Sequence, residues 1–519
     1  MESRSAENRG DTRPRVRIGD APLSIDDVVR LARGEAAPHL GTPVLERMRC
    51  SAAVLERLHE DGHAIYGVTT SVGASVGTQV PADRASDLSL NVLRMHGCGT
   101  GRILDDEEAA AVLAVRLSSL ACGKSGVRPE LAELMATLLT ERVLPCIPSE
   151  GSVGASGDLT PLSYVAAVLA GEREVRHRGE VLPARQGLRR LGRAPLELRP
   201  KEALALMNGT SVAAAIGCLA WFRARRLARL SSALTAMASA AVRGNPGHFD
   251  AFIHEAKPHP GQRRVARWIR EDLGGTERDE PPARLQDRYS IRCAPHVIGV
   301  LVDALAWCRR IVETEINGVS DNPVIDVESE RVLHGGNFYG GHVGFAFDSL
   351  KVAVANVACL LDRQLMLLCN PAENGGLPAD LVGVAGSDKC THNGFKAVTI
   401  ATSALAAEAL KLTVPASAFS RSTELHNQDK VPMATIAARD LLRIVELTEQ
   451  ASAMMVLACC QAIDLREGEV KSERAASVHA AVRKAVPRLG PDRRMDVDVA
   501  AVLELLRSDA LPLGDQELP

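Results

Sequence analysis

Apolar residues recur along most of this chain at the three-to-four-residue spacing of helices. The runs 109–120, 131–139, 203–241, 297–316, 342–368, 395–412 and 434–463 are predicted as helices. The 203–241 run is interrupted at Asn208-Gly209-Thr210, which predicts two segments, whereas 434–463 passes through its charged positions without Gly or Pro. Val352, Ala353, Val354, Ala355, Val357, Ala358, Leu360 and Leu361 are apolar on more than one face, so this helix must be buried in a bundle or against other subunits. Alternation is short and rare. The stretches 174–181 and 323–333 predict small hairpins at the rim, and no repeat of fixed period is present.

This pattern predicts a mainly all-α protein in four parts: a disordered tail over 1–20, an N-terminal domain over 21–200, a central long-helix bundle over 201–470 and a C-terminal helical tail over 471–519. The segment 272–286, rich in Gly, Pro and charge, reads as a flexible loop.

Composition narrows the class. The 519 residues are 46% hydrophobic but only 3% aromatic, so the core must be built from Ala, Val, Leu and Ile. A formal net charge of −3 argues against a nucleic-acid protein, which would show a basic excess, and against electrostatic membrane binding. Twelve cysteines are scattered without a Cys-x-x-Cys spacing, as expected of buried, reduced thiols in a cytoplasmic protein. The first 20 residues lack the apolar segment of a secretory signal. The longest apolar runs, around 352–361 and 451–463, fall short of the roughly 20 residues of a membrane helix. A soluble protein without nucleic-acid or membrane partners is expected.

The chemistry concentrates at 151–157, Gly-Ser-Val-Gly-Ala-Ser-Gly, followed by Asp158-Leu159-Thr160-Pro161. If the Gly157 nitrogen attacks the Ala155 carbonyl and two waters leave, Ser156 becomes a dehydroalanine within a five-membered ring, an electrophile that no ordinary side chain provides. Glycines at 151, 154 and 157 allow the bent, partly left-handed path that closure needs. A dinucleotide loop would require Gly-x-Gly-x-x-Gly between strand and helix; here the spacing is wrong and Leu144-Pro145-Cys146-Ile147-Pro148 is broken by proline. A helix starting near Pro161 suits its first turn. His254, Glu255 and His259 do not make a zinc site, because the histidines stand five apart and Pro258 breaks the helix between them.

A second segment, Ile65-Tyr66-Gly67-Val68-Thr69-Thr70-Ser71-Val72-Gly73, places a tyrosine among small residues. With Gly-Ala-Ser-Gly-Asp-Leu, it makes the chain resemble the methylidene-imidazolone ammonia-lyases and aminomutases, which act on histidine, phenylalanine or tyrosine. The resemblance runs from about residue 20 to 490. It continues through Leu206-Met207-Asn208-Gly209-Thr210, Pro258-His259-Pro260-Gly261-Gln262, Gln286-Asp287-Arg288-Tyr289-Ser290-Ile291-Arg292-Cys293, Ser320-Asp321-Asn322-Pro323, Gly335-Gly336-Asn337-Phe338 and His426-Asn427-Gln428-Asp429.

The resemblance implies a long-helix bundle of the histidine/phenylalanine ammonia-lyase type and a homotetramer whose sites combine three chains. It also implies a methylidene-imidazolone formed autocatalytically from Ala155, Ser156 and Gly157, with no external cofactor or metal, acting on a small amino acid. Tyr66 holds the family's base position. A phenol of pKa about 10 needs nearby positive charge to act at neutral pH, and helix N-termini are the expected source. Arg292 is the expected clamp for the substrate carboxylate, through a bidentate fork, with Tyr289 on the same side of one helical turn. Asn208 and Gln286 match amides that contact the ring or the carboxylate; Asn337, Phe338 and Gly73 complete the expected substrate-binding set. Asp321-Asn322-Pro323 reads as a turn ordering the site from behind.

Two places bear on the substrate. Tyrosine-specific members tend to have a His where this chain has Met95, and histidine lyases have a His where it has His96. Histidine lyases also carry a glutamate at Gln428, whereas plant-type phenylalanine lyases share the His-Asn-Gln-Asp pattern. The resulting expectation is elimination of ammonia from phenylalanine or tyrosine to give a trans-arylacrylate. The alternatives are a histidine ammonia-lyase giving urocanate, or an aromatic 2,3-aminomutase. Ser71-Val72, Tyr339 and Gly97-Cys98-Gly99 depart from the family pattern around the pocket.

Overall fold

The structure, a computed structural model, describes residues 12–276, 284–467 and 472–514. Its helices lie where the apolar spacing places them. Asp106–Ala121 starts on Asp105, whose side chain accepts from the Glu108 amide while Glu108 reaches back, a capping box. The break at 208–210 is real: Glu202–Met207 ends in the extended backbone of Asn208, and Ser211–Ala241 begins after it. Ala294–Ile316, Gly341–Cys369, Lys396–Lys411 and Ala434–Leu465 account for the remaining long runs. The two expected hairpins form as antiparallel pairs, Glu174–His177 with Glu180–Pro183 and Val324–Asp326 with Arg331–Leu333.

The chain divides into two compact units. The first comprises Met1–Leu219, Arg310–Phe345 and Ala416–Arg439. Its centre is Asp106–Ala121, in which every side chain from Glu108 to Ala121 is buried; small Ala and Ser faces let Ile25–Arg33 and Pro129–Thr140 pack closely on it. Leu159–Leu169 packs against Glu202–Met207 in the same unit.

The second unit comprises Ala220–Arg309, Ala346–Pro415 and Asp440–Pro519. Trp221 is fully buried and donates its indole N–H to the Leu305 carbonyl at 2.9 Å. Arg229 forks onto Asp272 at 2.7 and 2.8 Å, both side chains being buried. In both contacts a buried polar group meets a partner that offsets its loss of water.

Three expectations need correction. Residues 12–20 are not a tail: Arg15–Ile18 is a strand parallel to Ala37–Leu40. Val16 and Ile18 are buried there, and Arg13 donates to the carbonyls of Gly34 and Thr140; apolar alternation and one anchored arginine outweigh the charge around them. Residues 1–11 lie outside the described residues, as do 277–283 of the expected loop; Pro260–Asp272 is helical up to the start of that loop. Two helices, Tyr289–Ile316 and Gly341–Cys369, do reach the length and hydropathy of a membrane span. The second buries Asp348, Lys351, Asp362 and Gln364, with Lys351 2.7 Å from Asp348. Such partnered charges belong to a protein core. Thirdly, all twelve cysteines are free thiols, but Cys50, Cys98 and Cys390 are exposed rather than buried.

Candidate active site

The ring-forming loop is a tight left-handed turn. Gly154, Ser156 and Gly157 have φ of +80°, +52° and +80°, and the Gly157 amide donates to the Gly154 carbonyl at 3.2 Å. A Cβ on Gly157 would strike the backbone of Gly209, so this position admits only glycine. The Asp158 amide donates to the Gly209 carbonyl at 2.6 Å, which ties the loop to Asn208-Gly209-Thr210. This bent backbone, with its least hindered amide at Gly157, fits closure of a ring from Ala155, Ser156 and Gly157.

Asp158 anchors the loop from below. One carboxylate oxygen accepts from the Val212 and Ala213 amides at 3.0 and 2.9 Å, in the first turn of Ser211–Ala241, where the helix dipole favours negative charge. The other accepts from Ser152 Oγ at 3.0 Å and from Thr435 Oγ1. Burial pushes the Asp158 carboxyl up, and these donors partly oppose the rise.

A second hub lies under Asn208. Asn208 Nδ2 donates to the Asn322 carbonyl at 3.0 Å, while its buried Oδ1 has no partner among the described residues. Ser320 Oγ accepts from the Thr210 amide at 3.1 Å and donates to the Asn337 carbonyl at 3.3 Å. Lys201 Nζ lies 2.6 Å from Asp321 Oδ2, with both side chains fully buried. Arg116, also buried, donates to the Ser320 and Ala205 carbonyls; burial pulls its pKa down to about 10 despite Asp321 and Asp158 nearby. The turn at 320–323 therefore joins the loops carrying Asn208 and Asn337, with Asp321 as the counter-ion of Lys201.

Tyr66 is held at both ends. Its hydroxyl oxygen accepts from the Gly73 amide at 2.7 Å, and its own amide donates to His334 Nε2 at 3.2 Å. Glu424 accepts from the Ala74 amide at 2.9 Å, and a Cβ on Gly73 would overlap its carboxylate. Burial pushes the Tyr66 phenol above its ordinary value; the Gly73 amide opposes this and Glu424 adds to it. Within this chain the group that acts on the phenol by charge is a carboxylate, Glu424. Gln428 Nε2 donates to Ser156 Oγ at 3.1 Å and Gln428 Oε1 accepts from Thr423 Oγ1 at 3.1 Å.

Tyr66, Gly73, Ser156, Asn208, Asn337, Phe338 and Gln428 all belong to the first unit, as do Met95 and His96. Met95 is exposed, and His96, at the end of Ala85–Met95, holds the Val92 carbonyl with Nδ1 at 2.8 Å. Gln286, Tyr289 and Arg292 belong to the second unit. There Tyr289–Arg292 is one helical turn, with the guanidinium carbon 4.5 Å from the centre of the Tyr289 ring. Arg292 Nε donates to the Asp287 carbonyl at 3.1 Å, and Tyr289 and Gln286 are exposed.

Sequence reasoning missed Glu424, His334, Lys201 and Arg116. Only Glu424 left a signal, an acid four residues before Gln428 in the same loop.

The family model for aromatic amino acid lyases matches residues 23–484. The chain belongs to this family. It is a carbon–nitrogen lyase, with the long-helix ammonia-lyase fold. It is 36% identical over 507 residues to a histidine ammonia-lyase of Sorangium cellulosum, covering 96% of this chain and 98% of that one. Among solved structures, the histidine ammonia-lyase of Trypanosoma cruzi matches with a TM-score of 0.88 at 33% identity, over 96% of this chain and 94% of that one. The tyrosine aminomutase of Streptomyces globisporus matches at 0.91 and 34%, over 98% and 100%.

These findings correct the substrate expected of this lyase. Full-length relatives at 34–37% identity are named histidine ammonia-lyase, which overturns the expectation of phenylalanine or tyrosine. That expectation leaned on Met95 and Gln428. Met95 is a solvent-exposed side chain, and Gln428 is engaged with Ser156, so neither is a direct record of the substrate's ring.

Proposed function

We propose that this lyase removes ammonia from L-histidine to give urocanate. His96 carries the reading. A carbonyl only accepts, so the His96 Nδ1 that lies 2.8 Å from the Val92 oxygen bears a proton, which in the neutral tautomer leaves the Nε2 lone pair as an acceptor. An imidazole substrate offers an N–H to such an acceptor; a phenyl ring offers none. The names of the full-length relatives support the same substrate.

Ala155, Ser156 and Gly157 would hold the methylidene-imidazolone, whose electrophilic alkene supplies activation of the substrate amine as a leaving group. The rest falls to ordinary side chains. Tyr66, as phenolate, takes the β-proton; the C–H electrons become the new double bond as the C–N bond breaks and ammonia departs. The Gly73 amide holds the phenol oxygen at 2.7 Å, which keeps the base aimed and stabilises its anion. Arg292 supplies a guanidinium fork for the carboxylate, and the Asn208 amide orders the loop beside the ring through its donation to the Asn322 carbonyl. The reading includes a homotetramer with shared sites. Twelve free thiols suit a reducing compartment such as the cytoplasm.

A second reading, an aminomutase that returns ammonia to the β-carbon, is favoured by the match to the Streptomyces globisporus tyrosine aminomutase. Incubating the purified protein with amine-labelled L-histidine and separating products tests both. Urocanate with all label in free ammonium supports elimination; label in a β-amino isomer supports the second reading; unchanged histidine contradicts both.

A further inference from the structure

We propose that Glu424 is a positioning residue that sets the protonation of the Tyr66 base through the Gly73-Ala74 turn; this rests on the reading of Tyr66 as the base. The chain makes an unusual contact here. Gly73 donates its amide to the phenol oxygen at 2.7 Å, the next amide, of Ala74, is held by Glu424 at 2.9 Å, and the Glu424 carboxylate fills the space that a side chain at 73 would need. One turn thus carries the base on one amide and an anion on the next.

Glu424 is itself fixed in place. It stands in a left-handed backbone conformation, φ +50°, within the Thr423–Gln428 turn, where Thr423 and Gln428 exchange backbone hydrogen bonds at 2.9 and 3.3 Å. The same turn ends at Gln428, whose amide reaches Ser156. The loop that touches the ring-forming serine at one end therefore places a carboxylate beside the turn of the base at the other.

The titratable groups facing Tyr66 are Glu424 and His334. His334 Nε2 accepts from the Tyr66 amide, so that nitrogen carries no proton, and burial lowers its pKa further; it contributes no charge. Among the described residues, Glu424 is the acidic group that acts on the Tyr66 phenol. A carboxylate beside a phenol disfavours the phenolate, so Glu424 holds Tyr66 protonated to higher pH, while its acceptor oxygen keeps the Gly73 amide aimed at the phenol oxygen. Charge and aim pull in opposite directions, and two substitutions separate them.

Glu424→Gln keeps an acceptor for the Ala74 amide and removes the charge; Glu424→Ala removes both. The readout is tyrosinate absorbance against pH, taken as the difference from Tyr66→Phe so that the other three tyrosines cancel. In Glu424→Gln the Tyr66 transition is expected to move down, with more phenolate at a given pH below it, and the acid limb of the kcat/KM profile should move the same way. Glu424→Ala should lower kcat beyond Glu424→Gln with KM little altered. An unmoved tyrosinate transition in a folded Glu424→Gln protein overturns the proposal. The titration requires no substrate, so an error in the substrate leaves it intact, whereas full activity in Tyr66→Phe would defeat the base assignment itself.

Discussion

Gln428 Nε2 donates to Ser156 Oγ across 3.1 Å. One side chain therefore links the loop that varies among lyases of different substrate to the serine whose hydroxyl must leave. Gln428→Leu removes this donor without adding charge. Ring formation should become slower, and intact-mass spectra of freshly made protein should show a larger share of chains still carrying both waters. Equal shares in both proteins would disconnect Gln428 from ring formation.

Tyr66→Phe removes the phenol oxygen and leaves the Gly73 amide without its acceptor. Loss of a general base costs about 10²–10⁴-fold in rate. The decrease should fall on kcat, with KM for histidine nearly unchanged, because the ring still packs in its loop. A change confined to KM would make Tyr66 a binding residue.

Lys201 and Asp321 are a fully buried ion pair beneath the Asn208 loop. Removing one partner strands the other charge, at a cost of about 3–5 kcal/mol. Lys201→Met should lower the unfolding free energy read from urea melts by that amount, and the double variant Lys201→Met/Asp321→Leu should recover much of it. No recovery in the double variant would show that packing, not charge, dominates there.

Burial raises the Asp158 carboxyl above its unfolded value. For a raised folded pKa, the linked stability is complete below the unfolded value, about 4, and is lost as pH rises through the folded pKa. Asp158→Asn cannot titrate. Its stability relative to the parent should therefore improve as pH rises across that window, as urea melts taken between acid and neutral pH will show. A constant difference would mean that Asp158 titrates alike in both states.

Much of this was legible in the sequence because helical periodicity and small residues are local signals. The bend at Asn208-Gly209-Thr210, the two hairpins and the glycines of the ring loop follow directly from residue type. What stayed hidden depends on contacts between distant segments. Asp158 looked like the end of a motif, yet it accepts from Val212, Ala213 and Thr435. Nothing in their local sequence marks Lys201 and Arg116, yet burial beside Asp321 makes them part of the site's foundation. Residues 12–20 were misread because charge outnumbers the two apolar side chains that pair the strand. The substrate expectation leaned on Gln428, whose partner in the structure is the Ser156 hydroxyl.

The most direct test of histidine as the substrate is a side-by-side assay of the purified protein with L-histidine, L-phenylalanine and L-tyrosine, following the ultraviolet absorbance of the conjugated acid each would yield. The expected result is growth of the urocanate band with histidine, and a kcat/KM for histidine well above either aromatic competitor. In His96→Phe that preference should shrink. Turnover of phenylalanine or tyrosine in preference to histidine, by protein whose mass shows the loss of two waters, would contradict it.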